Sequence, residues 1–190
     1  MVKTQNKART HLRILLLMSF FIALSIVFGK YLAFNAGEMI RVSFENLPIL
    51  FAGMMLGPIA GITVAVSADL LGCLLVGYAI NPIVTAGAAV IGLLAGLVAK
   101  LTHKFPLFLR IILTVLISHL IGSVGVKTAG LAAFYGVSYP VLLLWRTLNY
   151  LLVGTAEGVL LFILLKSTVN DALCKLLGRE TKRKGSTNDV

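Results

Sequence analysis

Acidic side chains are scarce in this chain: seven Asp and Glu stand against 17 Lys and Arg, and charged residues make up only 13% of the sequence. Soluble domains carry about a quarter charged residues, so a water-exposed surface all round is excluded. Cysteine is as sparse. Cys73 and Cys174 form no metal-type spacing and no disulfide framework, and are read as packing residues. There is no P-loop and no H-E-x-x-H. His11, His103 and His119 do not cluster, and His119 is read as a packed neutral imidazole. Hydrolase, kinase and metalloenzyme chemistry find no motif here, so neither an enzyme nor a cofactor or metal is expected. Strict apolar–polar alternation is also missing, which excludes a membrane β-barrel.

What remains is apolar: 58% of the chain is hydrophobic. A membrane-spanning helix needs about 20 mostly apolar residues, and that length recurs. The fold class expected is an all-α integral membrane protein, a six-helix bundle with both termini cytoplasmic. Spans are expected at about 12–32, 47–56, 58–76, 82–101, 107–129 and 141–165. Gly37, "GP" at Gly57 and Pro58, "GYAINP", "KLTHKFP" and "GLAAFYGVSYP" break them. The division expected is a basic N-terminus at 1–11, a membrane domain at 12–166 and a basic tail at 167–190. No A-x-A-like cleavage site follows the first apolar run, so the first helix is expected to stay.

The net charge of +10 invites a nucleic-acid reading, but its distribution opposes one. Thirteen of the 17 basic residues lie before the first span, around Lys100 to Arg110, or after the last span. An even number of spans puts these three segments on one side, the cytoplasm, where some of them touch anionic lipid. The other four are Lys30, Arg41, Lys127 and Arg146.

Within "GITVAVSADLLGCLLVGY" a carboxylate interrupts the apolar run. A carboxylate near a span centre costs about 2.5–3.5 kcal/mol on insertion scales. Gly61, Ala65, Ala68, Asp69 and Gly72 share one helical stripe, so Asp69 is expected to face the bundle interior. Either it pairs with Lys127 or Arg146, or it binds a ligand. Matching stripes of small residues run through Ala88, Gly92 and Gly96, and through Thr114, Ser118, Gly122 and Gly125; they are read as packing faces. In the sixth span Arg146, Asn149, Val153 and Glu157 share a face. Glu157 is read as a structural acid hydrogen-bonded between helices. Trp145 is an interfacial anchor or a wall of a site.

The stretch "RVSFENLPILFAGMMLGPIAGITVAVSADLLG", with its R-V-S-F, L-P-I, G-P-x-x-G and S-x-D-L-L-G blocks, together with "NPIVTAGAAVIGLLAGL", resembles the folate-type family of substrate-binding S components of energy-coupling factor transporters. The resemblance implies a six-helix protein of the bacterial cell membrane. It would bind folate from outside, topple, and release it inward through a membrane-embedded coupling subunit and two cytoplasmic ATPases. It also implies docking through small residues of the first helix. Ala23 and Val27 occupy the family's A-x-x-x-A positions, and Ser25 and Gly29 form an alternative pair.

Under that resemblance Asp69 accepts the amino and ring N–H donors of the pterin. Phe44, Tyr78 or Trp145 would wall the rings. Arg41, Lys127 and Arg146 would meet the glutamate carboxylates, and Asn149 shares the Arg146 face. The rivals are an S component for pantothenate or a queuosine precursor, and a membrane scaffold with Asp69 merely ion-paired.

Overall fold

The computed structural model describes residues 2–36 and 40–177. Gly37, Glu38 and the tail cations Arg179, Lys182, Arg183 and Lys184 lie outside the described residues, as do the side chains of Lys3, Lys7 and Arg41. Helix α1 (Val2–Ile26) continues as a π-helical turn, Val27–Tyr31. A two-stranded antiparallel hairpin follows, β1 (Phe34–Ala36) and β2 (Ile40–Val42), with Phe34 opposite Val42. Then come α2 (Asn46–Leu56), α3 (Pro58–Val76), α4 (Pro82–Leu101) and α5 (Leu107–Ser118). A second π-helical stretch, His119–Lys127, leads into α6 (Thr128–Tyr135). Last are α7 (Tyr139–Lys166) and α8 (Thr168–Leu176).

The helix starts follow from local chemistry. Pro58 and Pro82 sit in first turns, where a missing N–H costs nothing. The Asn81 side chain caps α4 by accepting from Ile83 N at 3.0 Å and Val84 N at 3.3 Å. Its amide also donates to the Gly130 carbonyl at 2.9 Å, which pins α4 to α6. Gly77 closes α3 with φ of 70°, a left-handed conformation that only glycine adopts cheaply.

Among the described residues, five helices are long and apolar enough to cross a membrane. Helix α2 is apolar but short: its 11 residues span about 16 Å, roughly half of a hydrocarbon core. Nine of those residues are buried, so α2 is the centre of the bundle, as expected of a helix apolar on every side. Around it the small residues act as foreseen. A Cβ on Gly53 would lie 2.7 Å from that of Ala95, Gly61 and Gly92 meet backbone to backbone, and Gly96 abuts Gly57 and Pro58. Larger side chains fill the rest, with Phe21 edge-on to Phe51 at 5.4 Å and Leu50, Val64, Ile91 and Leu161 fully buried.

Four expectations are corrected. The polar connection after the first span contains a hairpin. The fifth helix does not end near 129 but runs to Tyr135, because the π-helical stretch keeps the chain helical through its glycines; the following connection shrinks to 136–138. The start of the supposed polar tail forms α8, whose Leu177 end is buried and whose Leu176 carbonyl accepts from Arg13 Nη1 at 2.8 Å. Finally, Ser25 and Gly29 do not present a docking face: both are buried against Glu45.

The glycine contacts give a paired test. Gly92→Ala pushes a methyl into the backbone of α3, which cannot yield, and is expected to cost about 1–3 kcal/mol. Gly158→Ala meets nothing within 4 Å and should be neutral or stabilising by up to about 1 kcal/mol. Thermal unfolding of both variants in detergent checks the contrast.

Candidate functional site

Asp69 sits about two turns inside the end of α3 that faces the hairpin, half-buried. It accepts a hydrogen bond from Thr85 Oγ1 at 2.6 Å. Neither Lys127 nor Arg146 supplies the ion pair that was the alternative. Lys127 is buried in the π-helical stretch and donates to Glu45 Oε1 at 3.0 Å. Glu45 stands just before α2, and its carbonyl accepts from Ser25 Oγ at 2.7 Å. Lys30, in the π-helical turn after α1, reaches Cys73 Sγ at 3.9 Å and lies 5.5 Å from the Tyr78 ring centre. Asp69, Glu45, Lys127, Lys30 and Ser25 line one cavity of about 10 Å³, walled by Ala65, Ala68 and Ala88. That is room for about one water. Four ionisable groups thus converge from α1, the α2 entrance, α3 and the fifth helix on a space closed by alanines.

A second polar assembly lies alongside. Arg146 Nη2 donates to Tyr150 Oη at 3.2 Å and to the Ser123 carbonyl at 3.5 Å. Tyr150 stacks on His119, with ring centres 5.0 Å apart. His119 Nε2 donates to Glu157 Oε2 at 2.6 Å. With the carboxylate as acceptor, Nδ1 is left to accept from Ser123 Oγ at 3.1 Å. His119, Ser123 and Lys127 follow one another at steps of four, all buried. The π-helical winding that presents them is a rare feature, frequent at functional sites. Lys127 is within electrostatic reach of both Asp69 and Tyr150, so the two assemblies are neighbours. Glu157 Oε1 and Arg146 Nε are buried without a hydrogen-bond partner among the described residues.

Of the residues expected at a site, Asp69 and Lys127 meet in the cavity and Arg146 stands in the neighbouring assembly. Asn149 is half-buried on its stripe, Tyr78 is exposed at the cavity edge through Lys30, and Phe44 packs on the hydrophobic core. Trp145 is exposed on the outside of α7, the anchor position of the two readings. The Arg41 side chain lies outside the described residues. Thr85, Glu45 and Lys30 were missed as site residues. Lys30 carried a signal, being one of the four cations off the inward set; Thr85 carried none.

A larger groove of about 500 Å³ runs between α5 and α7. Its walls combine exposed side chains, Leu116, Leu120, Leu151 and Val159, with the buried Ile111 and Val115 and with His119 and Tyr150 of the second assembly. An anion moved there would lose its hydration with almost nothing to replace it. The groove suits lipid chains, and the polar cavity is the candidate site.

The buried His119–Glu157 pair makes a testable demand. Glu157→Leu strands the imidazole and is expected to destabilise the protein by about 3–5 kcal/mol, whereas His119→Leu together with Glu157→Leu should recover much of that. A double-mutant cycle on thermal unfolding measures the coupling.

Comparison with known proteins adds to this geometry. A sequence model of the family described as ECF transporter, substrate-specific component matches residues 13–174. The folate transporter FolT of Clostridium novyi (strain NT) is 34% identical over 62 residues, 33% of this chain and 36% of that protein, so the match spans about a third of that relative. A crystal structure of FolT bound with folic acid superposes with a TM-score of 0.66 at 22% identity, covering 79% of this chain and 89% of the other. At that identity the likeness shows a shared fold.

Proposed function

The chain belongs to the family of ECF transporter substrate-specific components, and from that premise we propose that it is a folate-binding importer subunit of the bacterial cell membrane. It captures folate outside and hands it inward through a coupling subunit and two ATPases. The names of the two FolT relatives support folate as the ligand. The observation that carries the reading is Asp69, a carboxylate held by a single threonine hydroxyl in a cavity shared with Lys30 and Lys127. It retains the lone pairs to accept the paired amino and ring N–H donors of a pterin.

The hairpin end of the bundle faces outward in this reading, with both termini in the cytoplasm, in keeping with the positive charge in the first turns of α1 and after α7. The cavity is far smaller than a pterin. Entry therefore needs the segment carrying Glu45 to draw away from Lys127, so that the Glu45–Lys127 pair acts as the closure. Lys127, paired again with Glu45 once the ring is inside, is not free for the carboxylates of the ligand. Arg146, which has no carboxylate partner among the described residues, is the better candidate for the glutamate end. Ala23 and Val27 are exposed one turn apart on α1, the geometry for close approach by a coupling-subunit helix.

A thermal-shift series in detergent tests the ligand. Folate at 100 times its dissociation constant should add about 2.7 kcal/mol; a shift with pantothenate or a deazapurine and none with folate would transfer the site to that ligand, and no shift with any would leave the scaffold reading. Asp69→Asn should weaken folate about 10- to 100-fold, through lost charged hydrogen bonds, while leaving the unfolding temperature of the ligand-free protein nearly unchanged.

Coupling has its own test. Ala23→Trp should leave folate binding by the isolated protein intact and impair uptake by the assembled transporter. Normal uptake would place the docking surface elsewhere.

A further inference from the structure

Lys30 is the charge in the candidate site that the rest of the structure does not use. Its stem crosses α3 where a glycine leaves room: a Cβ on Gly72 would lie 2.7 Å from Lys30 Cε. Its ammonium rests on Cys73 Sγ and near the Tyr78 ring. Sulfur is a weak acceptor, and a ring face attracts a cation without neutralising it. Two carboxylates line the same cavity, yet each is engaged elsewhere, Glu45 by Lys127 and Asp69 by Thr85. Among the described residues no carboxylate pairs with Lys30. An ammonium has three donors, so this one keeps donors to give to a ligand that enters beside Asp69.

The chemistry of a pterin says where they go. Its 2-amino group and ring N3–H, the two donors suited to Asp69, adjoin the C4 carbonyl oxygen, an acceptor. One small cavity meets one end of folate only, so the group that serves Asp69's neighbour on the ring must come from that cavity. Lys127 is committed to Glu45; Lys30 is not. We propose that Lys30 donates to the 4-oxo oxygen of the bound ring and thereby sets a preference for 4-oxo over 4-amino pteridines. The proposal rests on the folate reading above. A 4-amino group would turn a donor toward the ammonium and leave both unsatisfied, the kind of mismatch that discriminates most strongly.

The test measures dissociation constants of purified full-length protein for folate and for its 2,4-diamino analogue, which carries the same benzoylglutamate. Wild type should prefer folate by about tenfold or more. Lys30→Met keeps the length of the stem; it should weaken folate about 10- to 100-fold and the analogue by no more than about threefold, so that the preference shrinks by the share Lys30 supplies. The analogue also changes the donors facing Asp69, but that share is common to both proteins and cancels in the ratio. Gly72→Ala displaces only the flexible end of Lys30 and should shift the ratio in the same direction by less. Equal losses for both ligands in Lys30→Met, no loss for either, or a wild type without preference would each overturn the proposal. A wild type that binds neither ligand would instead remove the folate reading itself, a result separable from these because it appears before any substitution is made.

Discussion

The contact between the half-buried Glu45 and the buried Lys127 is the interaction on which the rest of this structure depends. The two residues are 82 positions apart. Glu45 is the last residue before α2, its carbonyl holds Ser25 of α1, and its side chain fills the space above Gly29. Lys127 ends the π-helical stretch and passes over Gly87 of α4. One ion pair thus fastens α1, α2, α4 and the fifth helix at a single point. Removing either partner from such a place leaves a charge in a low dielectric. That penalty keeps the end of the bundle closed, and only a ligand bringing its own polar groups can offset it.

The same economy governs the other polar side chains. In hydrocarbon an unpartnered polar group costs several kcal/mol, and the chain answers by chaining them: Arg146 to Tyr150, Tyr150 against His119, His119 to Glu157 and Ser123. The fifth helix supplies residues to both assemblies, since His119, Ser123 and Lys127 follow at steps of four and are all buried.

Much of this was legible beforehand, and the reason is the strength of the signals. Asp69, with Ala65 four residues before it and Gly72 three after, could only point inward, and it does. The glycine stripes of α3 and α4 meet backbone to backbone. Membrane length and small-residue spacing are one-dimensional properties. The hairpin was not legible, since its strands are three residues long and pair only through their neighbours. Nor was the run to Tyr135: the stretch from Gly130 to Pro140 read as a loop, and only packing against α4, with Gly130 under Ile83, shows why its first half stays helical. The partner of Asp69 was hidden for a similar reason. Thr85 is one of many threonines in apolar helices, and nothing but the α3–α4 contact sets it apart. Ser25 and Gly29 looked equivalent to Ala23 and Val27; contact with Glu45 buries the first pair, while the second is exposed.

The bond from Arg13 to the Leu176 carbonyl has a consequence for counting. It joins the beginning of α1 to the segment just beyond α7, so those two places lie at the same end of the bundle. A chain that leaves one end and returns to it crosses an even number of times. Five long helices make an odd number. The parity is restored only if the short α2, with the hairpin segment leading into it, completes a sixth crossing that neither could make alone. The short α2, nine of whose 11 residues are buried, would on that count decide on which side of the membrane everything after it lies.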